Sequence, residues 1–115
     1  MTNAGAVLST LVDQSTDLKQ VCKSDLARGD RLFVRTVNSL YHIEVLGNGF
    51  YAVSGGWFDR KGRSPMLVKI SGCTWGGSAI KVDVVAACGL SLEFENRLVT
   101  STIQRIILLP AAYRN

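Results

Sequence analysis

The sequence is poor in the residues that build metal sites and covalent frameworks. It has one histidine, His42, and three cysteines, Cys22, Cys73 and Cys88, with no C-x-x-C spacing. An odd number of isolated thiols argues against a disulfide framework, and one imidazole among scattered acids offers no metal-ligand spacing. No cofactor or metal is therefore expected, and reduced thiols point to the cytoplasm. Long apolar runs are also missing. None approaches the roughly 20 residues that a membrane-spanning helix needs, and the N-terminus lacks the basic and apolar segments of a secretory signal. No membrane partner is expected. There is no internal repeat, low-complexity tract or long linker, so residues 1–115 read as one domain.

What is present is globular in character: 47% apolar and 19% charged residues. A chain of this size buries an ordinary core without staples. The net charge of +4 is unevenly distributed. Residues 1–46 are neutral and residues 71–95 are acidic. The excess lies equally in residues 47–70 and 96–115, and "DRKGR" (Asp59–Arg63) is the densest basic segment. Such a segment either solvates a loop or meets an anionic partner.

Two periodicities divide the chain. Over residues 4–23, Ala4, Val7, Leu8, Leu11, Leu18, Val21 and Cys22 recur near a 3.6-residue spacing, which predicts an N-terminal helix. From residue 30 to residue 110 the spacing turns to two. Leu32 and Val34, then Tyr41, Ile43 and Val45, alternate with polar or outward residues. The buried parity shifts between Val34 and Tyr41, so Asn38-Ser39 marks a turn or bulge. Gly47-Asn48-Gly49 predicts a hairpin, because these residues tolerate positive φ. Met66–Ile70 reads as the next strand. Ala79–Val85, with Ile80, Val82 and Val84 inward, and Leu90–Glu95 follow, and Thr100–Pro110 closes the set. The expected fold is mainly β: a small single-domain barrel, or a sandwich, of about six or seven strands preceded by an α-helix.

Few motifs carry chemistry. "SGCTWGGS" (Ser71–Ser78) has the glycine spacing of a phosphate loop, but Ser78 stands where that loop needs lysine. Cys73 is a candidate nucleophile only if a base such as His42 activates it; otherwise it fills space in a turn. Glu93 and Glu95 share a strand face opposite Leu92 and Phe94, which makes them solvated rather than catalytic. "GGWFDRKGR" places Trp57 and Phe58 beside Arg60, Lys61 and Arg63, and Trp75 adds a second indole. Cations interleaved with aromatics are what single-stranded nucleic acid is held by. Arg35, Asn38 and Tyr41 are further candidates for polar contacts. The structural alternative is that Trp57, Phe58 and Trp75 close the ends of a small barrel.

Three segments together, "TVNSLYHIEVL" (Thr36–Leu46), "SGG" (Ser54–Gly56) and "GCTWGGSAIKVD" (Gly72–Asp83), resemble a group of small uncharacterised bacterial proteins with the patterns T-x-N-S-x-Y-x-I, a double glycine and G-[SC]-T-x-G-G-S-x-x-K. The resemblance covers about the middle half of the chain. It implies a compact β domain and carries no activity.

The leading expectation is a non-catalytic protein that binds an anionic partner such as single-stranded nucleic acid through Trp57, Arg60, Lys61, Arg63 and Trp75. Two alternatives stand beside it. One is a structural or assembly protein, with the N-terminal stripe and the apolar tail Ile106–Tyr113 as homo-oligomer interfaces. The other is a cysteine-dependent enzyme using Cys73.

Overall fold

The structure is a computed structural model that describes residues 15–75 and 79–111. Ten strands make up most of it: β1 (Thr16–Leu18), β2 (Gln20–Cys22), β3 (Arg31–Thr36), β4 (Leu40–Gly47), β5 (Phe50–Gly55), β6 (Met66–Trp75), β7 (Ala79–Lys81), β8 (Val84–Ala87), β9 (Ser91–Phe94) and β10 (Val99–Leu109). One short helix, α1 (Gly56–Arg60), and a single 3-10 turn (Lys23–Asp25) complete the described residues.

Antiparallel pairing runs β3–β4–β5–β6–β9–β10 and returns to β3, which curls the sheet into a barrel-like form. Two long strands make the curl. The first half of β6 pairs with β5 and the second half with β9, and the register shifts between Ile70 and Gly72. At Gly72, where φ is +150°, a Cβ would run into the carbonyl of Lys81. The close approach of β7 there demands glycine. Strand β10 likewise passes from β9 to β3. Strands β1 and β7 form edges, and β2 pairs with β8 as a separate ribbon.

The alternating residues of β3 and β4 are inward as expected: Leu32, Val34, Tyr41 and Ile43 join Val53, Phe58, Leu92, Phe94, Ile103 and Ile106 in one core. The Gly47-Asn48-Gly49 hairpin forms, with all three residues at positive φ. Ahead of β3 the chain turns at Arg28-Gly29. The Asp30 carboxylate accepts the N–H groups of Ala27 and Ala111, both at 2.8 Å, and so ties this turn to the end of β10.

Three expectations are corrected. The predicted helix over 4–23 does not extend through its second part, where β1 and β2 stand instead; residues 1–14 lie outside the described residues. The apolar spacing of Leu18 and Val21 is satisfied by two ribbons, β1 on β10 and β2 on β8, broken at Lys19. The one α-helix described, α1, lies between β5 and β6. Strand β6 does not stop at Ile70 but continues to Trp75, so "SGCTW" is strand rather than turn. Ala79–Val85 is not one half-buried strand either. It breaks at Val82-Asp83, leaving Ile80 and Val82 exposed on an edge, while Val84–Ala87 are all buried. The chain there leaves an edge position for one covered by β2 and the curled sheet, so one-face periodicity fails.

Candidate anion-binding face

The basic segment of residues 59–63 is shaped by the core beneath it. Strand β5 ends at Gly55, whose φ of +96° and contact with the Leu40 carbonyl exclude a side chain, and Gly56 lies against the Tyr41 ring. These contacts join the Tyr41 and "SGG" segments into one cluster. Phe58 drives α1 inward. It is fully buried, edge-on to Tyr41 at 6.2 Å and to Phe94 at 5.1 Å. Asp59 then holds the loop, accepting the Gly55 N–H at 3.0 Å and the Ser64 hydroxyl. The Ser64 and Gly55 bonds hold the Asp59 carboxyl below its ordinary value.

Arg60, Lys61 and Arg63 are thereby presented to solvent, and four of the five predicted site residues come together. Trp57 is half-buried against the core, edge-on to Phe58, with the Arg63 guanidinium 5.9 Å above its ring. Trp75 is not among them. Met66 pairs with Val53 near α1, and Trp75 lies nine residues farther along β6, up to about 30 Å away on an extended strand. It is 48% exposed and carries the Lys81 ammonium 5.4 Å over its ring.

A second cationic surface lies on the outer face of β10, β3 and β4. Inward Ile103 pairs with Thr36, and a bulge follows between Ile103 and Arg105. The extra residue, Gln104, shifts the parity so that Arg105 turns outward and Ile106 inward. Arg105 then stands directly opposite Arg35, and Ile107 opposite Phe33. Across the other edge of β3, Arg35 faces Leu40 and Phe33 faces His42. The Phe33 and His42 rings stack at 4.9 Å with 28° between planes.

Phe33, Arg35, Leu40, Arg105 and Ile107 enclose a cleft of about 210 Å³. At the β1 side, Asp17 bonds Arg105 Nε at 3.0 Å and Nη2 at 2.9 Å, with both side chains more than half exposed. The Arg35 side chain has no hydrogen bond or ion pair among the described residues. At the other side, Arg60 Nη1 reaches the Ser39 hydroxyl at 3.4 Å, next to Leu40, so α1 borders the same face.

The "TVNS" motif proves to be the turn that aligns this face. The Thr36 N–H bonds the Ser39 carbonyl at 2.8 Å, and the Thr36 hydroxyl receives the Ser39 N–H at 3.0 Å. The Ser101 hydroxyl donates to Thr36 at 2.8 Å and accepts the Asn38 N–H at 3.0 Å. This fixes β3, β4 and β10 in register beside the arginines. Tyr41, by contrast, is buried and offers no surface contact.

The thiol of Cys73 is fully buried, 3.4 Å from the Val85 carbonyl. Burial pushes it up to about 11, against the opposing pull of a backbone hydrogen bond at Ala87 and the Lys81 charge. It stays protonated at neutral pH. His42 alternates with buried Tyr41 and Ile43 and so lies on the outer face, which separates it from Cys73. Among the described residues no three His, Cys, Asp or Glu side chains gather as metal ligands, and no helix is long and apolar enough to cross a membrane.

Strand pairing made the Arg35–Arg105 couple invisible in the sequence, since seventy positions separate the two residues. Alternation alone would have turned Arg105 inward. The only local hint was a two-residue polar break, Gln104-Arg105, between Ile103 and Ile106. No family model, curated protein or solved structure matches this chain, so its functional reading rests on the geometry of this face.

Proposed function

We propose that this chain is a non-catalytic binding protein for an anionic partner, single-stranded nucleic acid, held on the outer face of β10, β3 and β4. One observation carries the reading: Arg35 and Arg105 are cross-strand neighbours. Like charges in that position destabilise a sheet by a few tenths of a kcal/mol to about 1 kcal/mol. Asp17 offsets only Arg105. A phosphate oxygen between the two guanidinium groups would relieve the repulsion and accept charge-assisted hydrogen bonds. Arg60, Lys61 and Arg63 extend the positive field around Leu40, while Trp57, already covered by Arg63, contributes packing more than stacking.

A salt titration tests this. Binding of a labelled oligothymidylate, followed by fluorescence anisotropy, should weaken steeply and log-linearly with salt. Replacing both Arg35 and Arg105 by alanine should reduce the slope by about one to two counterions. Absence of binding at low salt, or binding indifferent to salt, defeats the proposal.

A second reading, assembly through protein contacts, draws on the edge where β7 pairs with β6: Trp75 at the end of β6, Ile80 on the edge strand β7 and Val82 just after it are all exposed. Light scattering that reports a monomer throughout the micromolar range would remove it.

A further inference from the structure

We infer that the cleft between Arg35 and Arg105 is a pocket for one unpaired base, with Phe33, Leu40 and Ile107 as its apolar walls; this rests on the anion-binding reading of the same face. The cleft joins two chemistries. Its guanidinium groups suit a phosphate, but three of its five lining residues are apolar, and Leu40 is 49% exposed. A ligand of charge alone, such as an acidic polypeptide or a duplex backbone, would engage the arginines and leave that apolar wall in water. A nucleotide satisfies both halves, with a flat base whose ring faces stack on such walls attached to an anion.

The wall is also pre-set. His42 stacks on Phe33 and fixes the plane of its ring, and the Thr36–Ser39–Ser101 hydrogen bonds hold the three strands that carry the lining residues. A base entering the cleft therefore meets an oriented aromatic group without a prior ordering cost. A base paired in a duplex is unavailable for this, so the geometry selects single strands.

The test compares four labelled probes on the full chain: an oligothymidylate, an abasic single strand of the same length, a duplex of the same length, and polyglutamate. The oligothymidylate should bind about tenfold more tightly than the abasic strand, the fold-change expected for one base stacked on an aromatic side chain. The duplex and polyglutamate should resemble the abasic strand. Phe33→Leu, which keeps an apolar side chain at a half-exposed outer position, should remove most of the preference for bases and retain salt-dependent binding.

His42 supplies a readout that needs no variant. As the only histidine, its imidazole proton resonances are unique in the spectrum. They should shift on adding the oligothymidylate and shift much less with the abasic strand. Equal affinity for the thymidylate and abasic strands, an unchanged preference in Phe33→Leu, or an unmoved His42 signal would overturn the base pocket. Salt-dependent binding of every polyanion alike would leave anion binding standing without the pocket. No binding of any probe would remove both.

Discussion

The α1 loop, meaning α1 together with the residues after it up to Ser64, and the outer face of β10, β3 and β4 are both basic, but they use their charge differently. In the loop, cations and aromatics are neighbours in sequence, and most already have something to hold. Arg63 covers Trp57, Arg60 reaches Ser39, and Asp59 is bonded to Ser64 and Gly55. On the sheet face, two arginines seventy positions apart meet, and Arg35 has no charge partner among the described residues. Charge density along a sequence and unsatisfied charge in space are thus different quantities. The second is the more readily available to a ligand, because a cation already engaged must exchange one partner for another.

The largest expected effect tests how far the loop belongs to the core. Phe58→Ala should cost about 3–5 kcal/mol of stability, measured by urea or thermal unfolding, because it empties a site between Tyr41 and Phe94. A loss below about 1 kcal/mol would show that the loop is an independent appendage.

Next, Arg35→Ala with Arg105→Ala should weaken oligothymidylate binding about tenfold or more. Neutralising Arg60, Lys61 and Arg63 together should weaken it by less, although it removes one more charge. The reverse order would overturn the contrast between the two regions. The arginine double variant should unfold at the same or slightly higher denaturant concentration, as the repulsion disappears.

A smaller change, Asp17→Asn, should tighten binding about threefold by freeing Arg105 from its carboxylate, in keeping with the modest worth of an exposed ion pair. That gain should vanish in an Arg105→Ala background. If it persists there, Asp17 acts through the general field and not through Arg105.

The smallest effect is on the loop in acid. Asp59 has its pKa lowered on folding by the bonds from Ser64 and Gly55. Its contribution is therefore present above the ordinary carboxylate value and is lost as pH falls through the lower folded value. The midpoint of the Gly55 amide proton shift should therefore lie below the ordinary carboxylate value. Titration of that signal at or above the ordinary value would contradict the bond pattern, whereas Ser64→Ala should move its midpoint upward.

Much of the fold was legible because it rests on local rules. Period-two alternation identified β3, β4 and β9, and the glycines of residues 47–49 identified a turn. The rules failed where a strand has two environments. Ala79–Val85 alternates cleanly, yet its first part is an exposed edge and the residues after Asp83 are covered on both sides. Residues 16–22 have apolar spacing that fits a helix, but pairing with β10 and β8 offered their backbone ready partners. The candidate site was half legible. Arg60, Lys61 and Arg63 announce themselves by adjacency, while Phe33 and Arg105 look ordinary.

By itself the sequence determined a β-rich domain, the hairpin at Gly47–Gly49, the turn at Asn38-Ser39 and a chain with one histidine and no cysteine pattern. These follow from side-chain periodicity, tolerated φ angles and composition, all properties of residues close together in the chain. Tertiary structure alone decided that Cys73 is buried, that Trp57 and Trp75 lie apart, and that Arg105 faces Arg35. Each depends on which strands pair and where one extra residue bulges. In a sheet that curls back on itself, a single-residue shift reverses the face on which a side chain appears.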